Sequence, residues 1–154
     1  IAVSLALALK FAEVTAVDIS AEALAVAERN AAELKAKVTF RRQDMLQLTP
    51  CGERFDIIVS NPPYIADSEK AEMDENVLAY EPHTALFVPD SDPLRFYRAL
   101  AVYGTQTLVP GGRLYFEINS RFPKEMTEML EELGYADVEI RKDMQRMPRF
   151  ASMW

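Results

Sequence analysis

Cysteine and histidine are nearly absent from this sequence of 154 residues, which holds one of each, Cys51 and His83. A single thiol excludes an intrachain disulfide, and one thiol with one imidazole cannot furnish a zinc cage, so no metal is expected. Long apolar runs are missing too. Nothing approaches the roughly 20 residues that cross a bilayer, and Ile1 to Leu9 is too short and lacks the basic leader of a secretion signal. The reading is a soluble, cytoplasmic protein with no membrane partner. Basic charge is outweighed, with 17 Lys and Arg against 24 Asp and Glu and a formal charge of -7. Such a surface repels phosphate backbones before counterion release can reward contact, so nucleic acid is not expected as a direct substrate. A protein or small-molecule substrate is favoured.

What is present is 49% hydrophobic and 27% charged, enough to bury the core of a single globular domain. Ile1, Val3, Leu5, Ala8 and Leu9 suit a largely buried helix, and Val14 to Val17 read as a buried strand ending at Asp18. Ser20 caps a second helix that has Glu22 in its first turn and runs to about Ala36. Val38-Thr39-Phe40 is the next strand. Phe55 to Ser60 reads as a core strand, stopped by Asn61-Pro62-Pro63 because proline removes a ladder donor and restricts the residue before it.

Residues 65 to 91 carry no sustained period and read as a long irregular loop with one helical turn at most, which in a compact domain is usually functional. Asp92 and Pro93 resemble an N-cap and first-turn proline, opening a helix to about Leu108. Pro110-Gly111-Gly112 is a turn, and Leu114 to Ile118 is a strand. A helix from about Phe122 to Leu133, with Met126, Met129 and Leu133 in the core, ends at Gly134, a natural left-handed cap. Val138 to Arg141 and Phe150 to Trp154 close the chain as an antiparallel hairpin. The alternation before it requires a mostly parallel sheet flanked by helices, an α/β fold of Rossmann type.

Parallel sheets of this kind bind ligands beyond the carboxyl ends of their strands. Asp18 stands at one such end, where a carboxylate accepts hydrogen bonds from ribose hydroxyls, although an aspartate there equally suits the start of a helix. Asp44 with Met45 follows the next strand, where the pair would meet an adenine edge and face; alone, Asp44 reads as a turn residue. Together the two acids suggest an adenosine-containing cofactor. The decisive motif is Asn61-Pro62-Pro63-Tyr64. Two prolines stiffen the backbone so that the Asn61 side-chain oxygen and the Pro62 carbonyl face one small volume. Two acceptors match the two donors of an amide NH2, whose nitrogen is a weak nucleophile until its lone pair is less delocalised, and Tyr64 can stack on the flat group.

Asn61-Pro62-Pro63-Tyr64-Ile65 resembles the NPPY signature of amino-methyltransferases, and its surroundings resemble the HemK/PrmC family of protein-(glutamine-N5) methyltransferases over nearly the whole chain. Ala16-Val17-Asp18-Ile19-Ser20 is similar to that family's second strand, and Glu81-Pro82-His83-Thr84-Ala85-Leu86 and Asp92 to Tyr97 are similar to segments more specific to glutamine methylation. The resemblance implies a class I S-adenosylmethionine-dependent methyltransferase fold and, as substrate, the GGQ glutamine of a peptide chain release factor. It implies that Asn61 and Pro62 are catalytic and that Pro63, Tyr64 and Glu81 help bind substrate. Asp18, Ile19, Asp44, Met45 and Asn61 would bind the cofactor.

In that family a helical domain, a first strand and a glycine-rich cofactor loop precede the helix at Ile1. They are missing from this chain, so residues 1–154 are expected to be an N-terminally truncated catalytic domain whose sheet has a gap and whose hold on cofactor is poor. Glu117 lines the site or is a solvated or paired structural group; His83 is expected in solvent. An amino-methyltransferase acting on a flipped nucleic-acid base shares the NPPY grip, and a nicotinamide-dependent oxidoreductase shares an acid after the second strand but has no use for Asn-Pro-Pro-Tyr. A binding module without activity is the third alternative.

Overall fold

The computed structural model describes residues 1–73 and 82–154. Ile1–Leu48 and Thr49–Trp154 form two compact units.

In the first unit, helix α1 (Ala2–Ala8) precedes strand β1 (Val14–Asp18), helix α2 (Ala21–Glu33) and strand β2 (Val38–Arg42). The strands pair in parallel from Val14↔Val38 to Asp18↔Arg42, so Asp18 lies at their shared carboxyl end. Ser20 caps α2 as its sequence predicts, its hydroxyl accepting from the Ala23 N–H at 3.1 Å. The helix stops at Glu33, three residues early, because Lys35 turns into the left-handed region at φ 55°. The expectation that α1 and β1 are largely buried fails: no residue of α1 is buried, and Val17 is exposed. So few residues cannot wrap a nearly all-apolar helix and both faces of a strand, and this unit's buried core is Leu24 and Ala31.

The second unit holds strand β3 (Phe55–Ser60), the short strands β4 (Ile65–Ala66) and β5 (Phe87–Val88), helix α3 (Arg95–Thr107), strand β6 (Leu108–Glu117), helix α4 (Pro123–Glu132), and strands β7 (Glu139–Lys142) and β8 (Pro148–Met153). Its main sheet has the order β3-β6-β8-β7. β3 is parallel to β6, whereas β8 is antiparallel to both β6 and β7, giving the predicted closing hairpin.

The core lies where α3 and α4 supply Tyr97, Leu100, Ala101, Met126, Met129 and Leu130, and β6 and β8 supply Leu114, Phe116, Ala151 and Met153. Each large side chain so buried contributes about 1.5–3 kcal/mol. Tyr97 and Phe116 meet edge to face at 5.2 Å between ring centroids. Met126 and Met129 are in this core as expected, but Leu133, just past the helix, is half-buried.

Four sequence expectations change here. β3, read as a core strand, is an edge strand among the described residues with β6 as its neighbour, and Ile57 and Val59 of β3 remain 51% and 41% exposed. Pro110-Gly111-Gly112 does not precede β6 but bulges within it, between the pairs Phe55↔Leu108 and Ile57↔Arg113. A Cβ on Gly112 would sit 2.9–3.1 Å from the carbonyl oxygens of Val109, Asp56 and Phe55, so glycine lets the strands approach there. The described residues of the stretch after the prolines are also more regular than a loop. β4 pairs in parallel with β5 (Ile65↔Phe87, Ala66↔Val88), with a 3-10 helix at Asp67–Glu72 and a helical turn at His83–Leu86 flanking the pair. Asp92 does not cap α3, which begins at Arg95; its carboxylate holds the Arg98 guanidinium at 3.0 Å instead. No helix among the described residues is long and apolar enough to cross a membrane.

Candidate functional site

In the first unit the predicted cofactor residues gather at the carboxyl end of β1 and β2. Asp18 is exposed, and its Oδ1 accepts from the Ser20 N–H at 2.8 Å, which orients the carboxylate without burying it. The Ile19 carbonyl accepts from Arg42 Nε at 3.0 Å, while the Ile19 side chain is 55% exposed. Asp44 is more occupied. Its Oδ1 takes the Leu46 N–H and its Oδ2 the Gln47 amide, both at 2.9 Å, which caps the 3-10 helix Met45–Gln47. Asp44 thus does the work of a turn aspartate in this structure. Met45 is half-buried beside it. The donor set suits an adenosine group: a fixed, solvent-facing carboxylate for ribose hydroxyls, and two apolar side chains, Ile19 and Met45, for a base.

In the second unit Asn61 follows β3 and is exposed, whereas Pro62 is buried and Pro63 and Tyr64 are half-buried. The prolines end the strand, and Tyr64 fastens the turn to its neighbours. Its N–H donates to the Leu86 carbonyl at 3.2 Å. Its carbonyl accepts from Asn119 Nδ2 at 2.9 Å, and its hydroxyl donates to Glu117 Oε1 at 3.0 Å. The positive charge of Arg149 acts on this phenol in the opposite sense to Glu117. Burial and then the Glu117 charge raise the Tyr64 pKa above that of an ordinary tyrosine, so at neutral pH the phenol stays a donor. Tyr97 donates to the Glu117 backbone carbonyl at 3.0 Å, and burial pushes its pKa far upward. Glu117 thereby receives phenols on both side chain and main chain, the paired structural role allowed for it in the sequence.

Asn119, Glu69 and Arg149 were not singled out by sequence reasoning. Asn119 had a usable signal, since it stands two residues past the carboxyl end of β6, where ligand-facing residues collect in parallel sheets. Glu69 and Arg149 had none; their partners are fixed only by folding. His83 is exposed, with its ring edge-on to Phe87 at 5.4 Å. Glu81 lies outside the described residues.

The chain is similar to proteins whose names bear on this arrangement. It is 54% identical over 145 residues to a release factor glutamine methyltransferase of Bacteroides thetaiotaomicron, covering 94% of this chain and 52% of the relative. It is 46% identical over 144 residues to a release factor glutamine methyltransferase of Flavobacterium psychrophilum, covering 94% and 50%. The chain thus spans about half the length of the curated relatives it matches. A crystal structure of a methyltransferase from Pyrococcus furiosus superposes over 96% of this chain and 66% of its own with a TM-score of 0.66 at 19% identity, which speaks for the fold alone. The profile of the methyltransferase small domain family matches residues 1–83, more than half of the sequence. On that match, the chain belongs to the methyltransferase small domain family.

Proposed function

We propose that residues 1–154 are the catalytic domain of a cytoplasmic enzyme that methylates the N5 nitrogen of a protein glutamine, the GGQ glutamine of a peptide chain release factor. The observation that carries the reading is the Asn61-Pro62-Pro63-Tyr64 turn: an exposed asparagine amide beside a stiff backbone that Tyr64 anchors at its N–H, its carbonyl and its hydroxyl. The names borne by the relatives support the choice of substrate.

In this reading Asn61 Oδ1 and the Pro62 carbonyl each accept one hydrogen of the glutamine NH2. Gripping both hydrogens turns the nitrogen lone pair out of conjugation with its carbonyl, and this grip is stronger as positive charge develops on nitrogen than in the ground state. Tyr64 presents a ring face to the flat amide, and Pro63 holds the turn. Glu81 counts among the substrate-binding residues in this reading. Asp18 would hold the ribose of S-adenosylmethionine, with Ile19, Met45 and Asp44 about its base. The sulfonium cofactor supplies the methyl group. No side chain is needed as a strong base, because a methylated amide nitrogen bearing an extra proton is acidic enough to release it to water. Orientation of the nitrogen is the main contribution of the chain's own residues, and such orientation can lower a barrier by about 7–11 kcal/mol.

The test is methyl transfer from labelled S-adenosylmethionine by the complete protein, offered a release factor, the same factor with the GGQ glutamine replaced by alanine, and duplex and single-stranded DNA. Label in the intact factor alone supports the reading. Label only in nucleic acid contradicts it.

A further inference from the structure

We infer that Asn119 is a positioning residue for the Asn61-Pro62 grip, acting through the Tyr64 carbonyl; this rests on the reading of that grip as the substrate site. Asn119 is 6% exposed, one of two buried polar side chains among the described residues. Its Nδ2 donates to the Tyr64 carbonyl at 2.9 Å and to Glu69 Oε1 at 2.8 Å. Its Oδ1 accepts from the Arg121 N–H at 2.9 Å. Each group thus has a matching partner, and a flipped amide would face two acceptors with an oxygen and a donor with an NH2, so the side chain has one orientation.

That orientation is transmitted along the turn. Glu69, the second acceptor, is itself held: Oε1 takes the Ala66 N–H at 2.8 Å, and Oε2 meets Arg121 Nε at 3.3 Å. Asn119 therefore joins the end of β6 to both sides of β4, at Tyr64 and at Ala66. With the Tyr64 N–H on Leu86 and its carbonyl on Asn119, both peptide planes flanking Tyr64 are fixed. The ring of Pro63 fixes its own φ, so little freedom remains between those planes and the Pro62 carbonyl. The three hydrogen bonds of the Asn119 amide go to Tyr64, Glu69 and Arg121, not to the Asn61 side chain or the Pro62 carbonyl. Its effect is on where they point.

The experiment compares Asn119→Ala, Asn119→Asp and Asn61→Ala in the complete protein, measuring S-adenosylmethionine binding by calorimetry and steady-state methyl transfer to a release factor. Asn119→Asp occupies the same volume and keeps the acceptor for Arg121 but loses both donations and sets a carboxylate against Glu69, so a thermal melt of each variant accompanies the kinetics and the comparison is read on the variants that melt as folded proteins. The expected result for either Asn119 variant is one cofactor bound per chain, KM for S-adenosylmethionine within about twofold of the parent, and kcat lower by about 10- to 100-fold, the range a misplacement of about 1 Å commands. Parental kcat, or a fall in kcat matched by an equal loss of cofactor-binding sites, overturns the inference. Asn61→Ala separates the two claims: if it turns over at the parental rate, the grip itself is wrong. If it is inactive while the Asn119 variants run at the parental rate, only the role of Asn119 is wrong.

Discussion

The Tyr64 hydroxyl lies 3.0 Å from Glu117 Oε1, joining the residue that completes the Asn-Pro-Pro-Tyr turn to the last residue of β6, 53 positions later. A neutral phenol bonded to a carboxylate is a charge-assisted hydrogen bond, about twice as strong as a neutral one. The tyrosine is thus an anchor as well as a ring. Tyr64→Phe keeps the ring and deletes the anchor. Urea denaturation of the complete protein should show a loss of about 1–2 kcal/mol, and methyl transfer should slow even where cofactor binding is unchanged. A variant as stable and as fast as the parent would show that the phenol contributes nothing.

Gly104 sits inside α3, where glycine is costly. Its place is explained by Tyr135, whose hydroxyl donates to the Ala101 carbonyl at 2.8 Å and occupies the space a Cβ on residue 104 would need. Burial raises the Tyr135 pKa to about 12, in keeping with that enclosed position. Gly104→Ala should destabilise the protein by about 1–3 kcal/mol through overpacking, despite alanine's better helix propensity. Adding Tyr135→Phe removes the clashing oxygen and should restore part of the loss. A thermal melt of the single variant at or above the parental temperature would contradict this packing.

The turn between β7 and β8 is organised by Asp143. Its carboxylate accepts the Met147 N–H at 3.0 Å, the Arg149 guanidinium at 3.2 Å and the Gln145 N–H at 2.9 Å. Chiefly through the Met147 N–H, and then Arg149 and Gln145, these partners hold its pKa below that of an ordinary aspartate. A carboxyl lowered by folding stabilises the fold above its unfolded pKa, about 3.9, and that stabilisation is lost as pH falls through the depressed value. The melting temperature of the parent minus that of Asp143→Asn should be positive and flat from neutral pH down to about pH 5, then shrink on further acidification. A difference that does not change with pH would rule out the charge as its cause.

How much of this was legible depended on the distance over which each feature is determined. Ser20, Gly134 and the prolines at 62 and 63 act on their own or adjacent backbone groups, so the α2 cap, the end of α4 and the end of β3 could be read directly. The closing hairpin was legible from two β-rich stretches around a polar turn. Asp92 misled because Arg98, one and a half turns on, competes for its carboxylate. The burial of α1, β1 and β3 misled because an apolar run reports what a segment can bury, not what neighbours are there to cover it. The turn's asparagine and prolines were legible as chemistry, but its tethers were not: Glu117 and Asn119 lie 53 and 55 residues from Tyr64, and no local pattern announces a partner at that separation. The bond from Asp44 to its own turn shows the opposite case, in which the plainer reading of a residue describes its geometry best.

Everything proposed for the site depends on the Asn61 side-chain oxygen and the Pro62 carbonyl together orienting an amide nitrogen for methylation. The most direct measurement is single-turnover methyl transfer to a release factor by the complete protein carrying Asn61→Ala, with S-adenosylmethionine saturating. Removing one of two acceptors that act mainly in the transition state should slow the transfer step by at least about 100-fold, the loss seen when one preorganised polar contact of this kind is deleted. Transfer at the parental rate would contradict the claim.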